Sequence, residues 1–199
     1  MKNHALALGV AAAALLAVGA CNKNGTGANN EPNAQTSKAA KVAGNKTIAS
    51  GLPANGKFMA AAKAAGLDQT LAGPGPYTVF VPDDQAFASA GGTFDPSPSN
   101  RAQITGVLTN LILPGTVMVA DIDKAIDSGK GKATLATMGG GTITATKEGG
   151  KTIIADSSGH KATVTQGDEQ FTNGVVHHID ALLVPAKPTS APTVGQKAK

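Results

Sequence analysis

One cysteine, no tryptophan and a single tyrosine stand in a chain of 199 residues. A lone thiol excludes an intrachain disulfide framework, so the core has to hold through packing alone. Aromatic residues make up only 3% of the chain, and the six present (Phe58, Tyr77, Phe80, Phe87, Phe94 and Phe171) all fall in one central region. One core is the economical reading. Histidine is scarce as well, with four in all, and no Gly-x-Ser-x-Gly elbow occurs. With the one cysteine placed outside the central region, serine or cysteine hydrolase chemistry lacks its parts. The apolar run from Ala5 to Val18 is too short for a comfortable membrane span. Charge is short of one sign where it would matter. Between residues 47 and 185 nine Lys and Arg face twelve Asp and Glu, so the basic balance of the chain belongs to its two flanks. A nucleic-acid-binding domain would itself be basic, and that class is excluded.

What is present begins with an export signal over residues 1–20. Lys2 gives a positive start, the apolar run follows, and it ends in Val18-Gly19-Ala20-Cys21. Small residues directly before a cysteine resemble the bacterial lipobox. The resemblance implies lipid on the Cys21 sulfur and a mature chain that starts there. The alternative is an ordinary signal with an incidental cysteine. It is disfavoured because the only cysteine of the chain occupies the one position a lipobox requires, and an exported lone thiol would be unusual. Two or three acyl chains anchor a protein stably where one does not. Residues 21–46 contain no aromatic and read as a flexible tether with a root-mean-square span of about 25–30 Å. Residues 186–199 read as a disordered basic tail.

Between these flanks the pattern is α+β. A helix is expected over 56–65, where Phe58, Ala61, Ala62 and Ala65 repeat at helical spacing, Asn55 caps the start and Gly66 the end. A second helix begins near Ser99 or Asn100, with Ile104, Val107, Leu108 and Leu111 as its apolar face and Pro114-Gly115 as its end. A short helix is expected over 120–127. Four strand-like runs, 133–138, 142–147, 152–156 and 161–166, are separated by glycine-rich turns and form an antiparallel meander.

Two boxes frame this segment. In the first, Pro76-Tyr77-Thr78-Val79-Phe80-Val81-Pro82-Asp83-Asp84-Gln85-Ala86-Phe87, a strand stops at Pro82 and Asp83 caps a short helical turn carrying Phe87. In the second, Asn173-Gly174-Val175-Val176-His177-His178-Ile179-Asp180-Ala181-Leu182-Leu183-Val184-Pro185, an Asn-Gly turn opens a strand over 175–184 that is apolar on both faces and suits a central position. These boxes, in this order and about a domain apart, resemble the opening and closing boxes of fasciclin-type (FAS1) domains. The matching residues are Thr78, Val79, Phe80, Pro82 and Phe87 in the first box, and Asn173, Gly174, His177 and Asp180 in the second. The resemblance implies a FAS1 domain over 47–185, a wedge or sandwich of β-sheets flanked by several short helices. It also implies a structural role for His177, and a more exposed place for His178, where the family usually has an apolar residue. Many members carry Tyr-His before the mid-chain Pro-Gly. Here Asn110-Leu111 stands at that place, and Leu111 reads as core.

His178 and Asp180 share one face of the closing strand and His177 takes the other. A histidine and an aspartate could begin a metal site, but such a site needs three or four ligands, and outside the signal His160 is the only other histidine. The pair reads instead as a structural hydrogen-bonded one. Asp83 and Asp84 read as a cap and an exposed charge at a helix start. No catalytic residue, cofactor or metal is expected. The expected function is that of a lipid-anchored, non-enzymatic adhesion or interaction module of a bacterial envelope, periplasmic or surface-facing, contacting an envelope protein or glycan. The alternative is a carrier of a small apolar ligand.

Overall fold

The computed structural model describes residues 45–89 and 97–184. The expected export signal, Cys21, most of the expected tether, Phe94, Pro185 and the expected basic tail lie outside the described residues. Short helices come first. α1 spans Ile48–Gly51, α2 Lys57–Ala65 and α3 Asp68–Ala72. Strand β1, Tyr77–Pro82, leads into α4, Asp84–Ser89. A 3₁₀ turn at Pro98–Asn100 then enters α5, Arg101–Asn110, followed by β2, Ile112–Pro114, and α6, Val119–Ser128. Five strands finish the described chain: β3 Lys132–Ala136, β4 Thr142–Glu148, β5 Lys151–Ala155, β6 Lys161–Phe171 and β7 Gly174–Ile179.

The periodic face of α2 is buried as its spacing predicts, with Phe58, Ala61, Ala62 and Ala65 inside. Its cap differs from expectation. Gly56, not Asn55, stands at the N-cap, and the first helical N–H, that of Lys57, is taken by Asp84 Oδ1 at 2.9 Å. A glycine supplies no side-chain oxygen, so the capping acceptor comes from a distant element. At the other end Gly66 adopts φ +76° and the Leu67 N–H reaches Ala62 O at 2.8 Å, which closes the helix with paired turn bonds. Asp83 caps α4 as its position suggests, its Oδ1 accepting the Ala86 N–H at 2.7 Å.

The strands form one seven-stranded sheet in the order β2-β1-β7-β6-β5-β4-β3. From β3 to β7 it is the expected antiparallel meander, and β1 joins it by running parallel to β7. Strand β6 bends at irregularities between Val164 and Gln166 and between Gln166 and Glu169, so its first part pairs with β5 and the remainder with β7. The Met138 N–H donates to Ile112 O at 2.8 Å, which brings the two ends of the sheet together as a near-barrel. The large side chains Phe80, Ile104, Leu108, Ile122, Ile154 and Ile179 are all fully buried within it.

Several boundaries shift from the sequence reading. Residues 112–114 form an edge strand on β1 rather than a helix end, with Val79 opposite Ile112. Strand β3 begins one residue early, at Lys132, and stops at Ala136, leaving Met138 the exposed large apolar residue of the described chain. Strand β6 continues through the polar run 166–170 to Phe171, because pairing with β7 overrides weak strand propensity. Strand β7 stops at Ile179, and Leu182 and Leu183 are buried without being strand.

The parallel β1–β7 register sets Phe80 beside His177, with ring centroids 5.4 Å apart and planes inclined at 39°. Phe80 is fully buried. Phe80→Ala is expected to cost about 3–5 kcal/mol, as for a large aromatic removed from a packed interior. Against a typical domain stability of about 5–15 kcal/mol, the variant should unfold at far lower urea than the wild type. Coincident unfolding curves would contradict this packing.

Candidate functional site

The two boxes meet at the loop between β2 and α6. Thr78, in β1, is fully buried, yet its hydroxyl is used twice. It donates to Gly115 O at 2.8 Å and accepts the Val117 N–H at 2.8 Å. His177, in β7, is also fully buried. Its Nδ1 accepts the Asp168 N–H at 3.0 Å, so the ring proton resides on Nε2, which donates to Val117 O at 2.8 Å. Both main-chain groups of Val117 are thus bound by side chains from the two central strands. Burial pushes the His177 ring below its ordinary pKa. The Val117 carbonyl and the Asp168 carboxylate, 3.8 Å from Nδ1, oppose that shift only in part.

Asp168 completes the clasp. It sits at the irregular stretch of β6 with φ +62°, a conformation that Asp tolerates better than most residues, and its Oδ1 accepts the Val119 N–H at 2.8 Å. That bond satisfies the first turn of α6 and places a carboxylate at the positive end of the helix. Gly167 is needed beside it, since a Cβ there would run into Val119 Cγ2. The sequence reading missed Asp168. A Gly-Asp pair interrupting a strand-like run was the available signal for a bulge.

Asn173 acts at the other end of β7. Its side-chain oxygen accepts the Ile48 N–H at 2.9 Å, and its amide nitrogen donates to Leu71 O and to Gly73 O, each at 2.8 Å. One buried amide therefore ties α1 and the end of α3 to the β6–β7 hairpin. Read from sequence, Asn173 marked a turn and a position of the closing box, without these partners.

The remaining histidines are placed differently from expectation in one respect. His178 and Asp180 do not contact each other. His178 Nε2 lies 2.9 Å from Glu169 Oε2 across the β6–β7 pair, while Asp180 Oδ1 accepts the Thr163 N–H at 2.6 Å. The pairing follows from register: Glu169 lies opposite Val176, two residues from His178 on the same face, and Asp180 lies past the end of β7. His178 is partly exposed, consistent with its apolar counterpart in the boxes being replaced. His160 Nδ1 pairs with Asp156 Oδ2 at 2.8 Å inside its own turn. Among the described residues no cluster of three or more His, Cys, Asp or Glu is arranged to hold a metal ion. Asn110 braces the glycine turn after β3, with its Oδ1 accepting the Thr137 hydroxyl at 2.9 Å, and Leu111 is fully buried. Val79 and Phe87 are core residues, and Pro82 is buried at the end of β1.

Every buried side-chain nitrogen and oxygen among the described residues has a hydrogen-bond partner. An open cleft of about 690 Å³ is bordered by the Gly73–Pro76 turn, Thr47, Thr116, Met118 and the β6–β7 hairpin. Its size suits a small ligand, but its lining is largely glycine, proline, threonine and main chain.

Residues 54–185 match the family described as Fasciclin domain. Protein sll1483 of Synechocystis sp. (strain ATCC 27184 / PCC 6803 / Kazusa) is 30% identical over 148 residues, covering 72% of this chain and 71% of that protein. A second protein of the same organism, sll1735, is 30% identical over 130 residues, covering 64% of this chain and 86% of its own. Among solved structures, the FAS1 domain pair from the insect cell adhesion molecule fasciclin I superposes with a TM-score of 0.59 at 20% identity. The match covers 69% of this chain and half of that one, and at this identity it shows the fold alone.

The clasp predicts a pH dependence. A histidine held neutral in the fold but free to protonate when unfolded leaves the unfolded chain with more bound protons in acid. Stability is then complete above the ordinary histidine value of about 6.5 and declines as pH falls below it, by up to about 1.4 kcal/mol per pH unit. In chemical denaturation between neutral and mildly acidic pH, His177→Gln is expected to show a shallower acid-side decline than the wild type. Equal slopes would contradict a buried neutral His177.

Proposed function

The chain belongs to the fasciclin domain family, and on that premise we propose that it is a lipid-anchored interaction module of a bacterial cell envelope. It binds another envelope protein or a glycan through its surface and performs no chemistry on its partner. The observation that carries this reading is Cys21: the only thiol of the chain, directly after an apolar run that ends in small residues. Acylation there tethers the domain to a membrane through residues 22–46, at a reach of about 25–30 Å from the bilayer. The adhesion molecule that shares the fold is a precedent for contact as the role of such a domain. The interior lends support as well. The buried polar groups of the two boxes are taken up in holding the fold, His177 and Thr78 by the loop before α6 and Asn173 by α1 and α3.

A carrier role is the second reading, favoured by the 690 Å³ cleft. Purification from native membranes separates the two. A protein that brings down a defined envelope partner and carries no extractable ligand supports the contact module. A stoichiometric apolar molecule released by solvent extraction supports the carrier.

The anchor has its own test. Intact mass spectrometry of the membrane fraction should show a chain that begins at an acylated Cys21. Cys21→Ala should leave that fraction while melting at the wild-type temperature, since Cys21 lies outside the segment expected to fold. A wild-type chain that retains residues 1–20, or one found soluble with a free thiol, would overturn the proposal.

A further inference from the structure

We propose that Asn173-Gly174 is a deamidation site which the fold protects and unfolding exposes, so that conversion there marks a chain irreversibly as having unfolded. An asparagine followed by glycine is the dipeptide most prone to this reaction, because the glycine nitrogen meets no side-chain obstruction. That nitrogen attacks the carboxamide carbon Cγ, a C–N bond forms, and ammonia leaves. Water then opens the resulting five-membered imide at either carbonyl, giving aspartate or its β-linked isomer. One water is consumed and one ammonia released, with no oxidant or cofactor.

The chain holds three such pairs, Asn24-Gly25, Asn55-Gly56 and Asn173-Gly174. The two within the described residues stand in opposite settings. Asn55 is exposed, and its carboxamide has no hydrogen bond among the described residues. Asn173 is 7% exposed, and both ends of its carboxamide are held: Oδ1 by the Ile48 N–H at 2.9 Å, Nδ2 by Leu71 O and Gly73 O at 2.8 Å each. Its own carbonyl accepts the Tyr77 N–H at 3.0 Å. For Gly174 N to reach Cγ the carboxamide has to swing away from all three partners while the main chain is pinned. The reaction therefore waits for the hairpin to open, and its rate follows the open population, on the order of one part in a thousand or less for a typical folded protein.

The product does not fit the site. A carboxylate at 173 has no hydrogen to give to Leu71 O or Gly73 O, and it sets a buried negative charge against two carbonyl oxygens. The β-linked isomer adds a main-chain atom inside a hairpin whose register sets Phe171 opposite Gly174. Nor can packing dispense with the labile pair. Any side chain at 174 would collide with the Tyr77 carbonyl, and only an asparagine at 173 supplies one acceptor and two donors at that reach. A stable fold and a latent chemical fault thus share one dipeptide.

The test uses the full-length chain, kept in mildly alkaline buffer with and without denaturing urea, and follows tryptic peptides by mass spectrometry. Asn55 is the internal reference. In urea, Asn55 and Asn173 should convert at similar rates. In the folded protein Asn55 should still convert, and Asn173 at least about 100-fold more slowly. After dilution from urea, chains converted at 173 should be absent from the refolded fraction, while chains converted only at 55 should be present in it. Comparable conversion of both sites in the folded protein would overturn the protection. Recovery of 173-converted chains in the refolded fraction would overturn the marking, and so would an Asn173→Asp variant with the wild-type melting temperature.

Discussion

The parallel pairing of β1 with β7 is the constraint on which the rest of this structure depends. These strands lie far apart along the chain, and their register sets Tyr77 opposite Gly174 and Phe80 opposite His177. Such a contact closes a long loop of chain, a slow and entropically costly step that has to be repaid by burial. The repayment is visible along the seam. Val79, Phe80, Val175 and Val176 are fully buried, and the polar groups among them, Thr78 and His177, are fully bonded.

Once the seam is formed, neighbouring elements have fixed places to attach. Thr78 and His177 together bind both main-chain groups of Val117, which positions the entry to α6, and Asp168 caps that helix from the bend in β6. At the other end of the same strands Asn173 gathers α1 and α3. A charged histidine would lose its role, because a protonated ring has no acceptor for the Asp168 N–H. The clasp and the neutral state of His177 are the same fact seen from two sides.

This economy bears on function. A domain that uses its buried polar groups to hold its own loops has its surface left for contact, which agrees with the proposed role as an interaction module. It also concentrates vulnerability. Asn173 contributes three bonds through one carboxamide, and its place before Gly174 exposes that carboxamide to intramolecular attack whenever the hairpin opens.

The sequence by itself determined the parts whose cause is local. The periodic face of α2, the stop at Pro82, the cap by Asp83, the glycine turns of the meander and the buried closing strand were each legible, because propensity and hydrophobic period act over a few residues. The two boxes were enough to point to the family. The tertiary structure decided what depends on partners far along the chain. Residues 112–114 became a strand because β1 offered an edge, and 166–170 stayed in β6 despite polar composition because β7 lay alongside. His178 chose Glu169 over Asp180 because antiparallel register brought that carboxylate within reach. Asp84 caps a helix that starts 27 residues earlier in the chain, and Asn173 bonds to residues a hundred or more positions away. No local pattern encodes such pairs, because their geometry exists only once β1 and β7 have met.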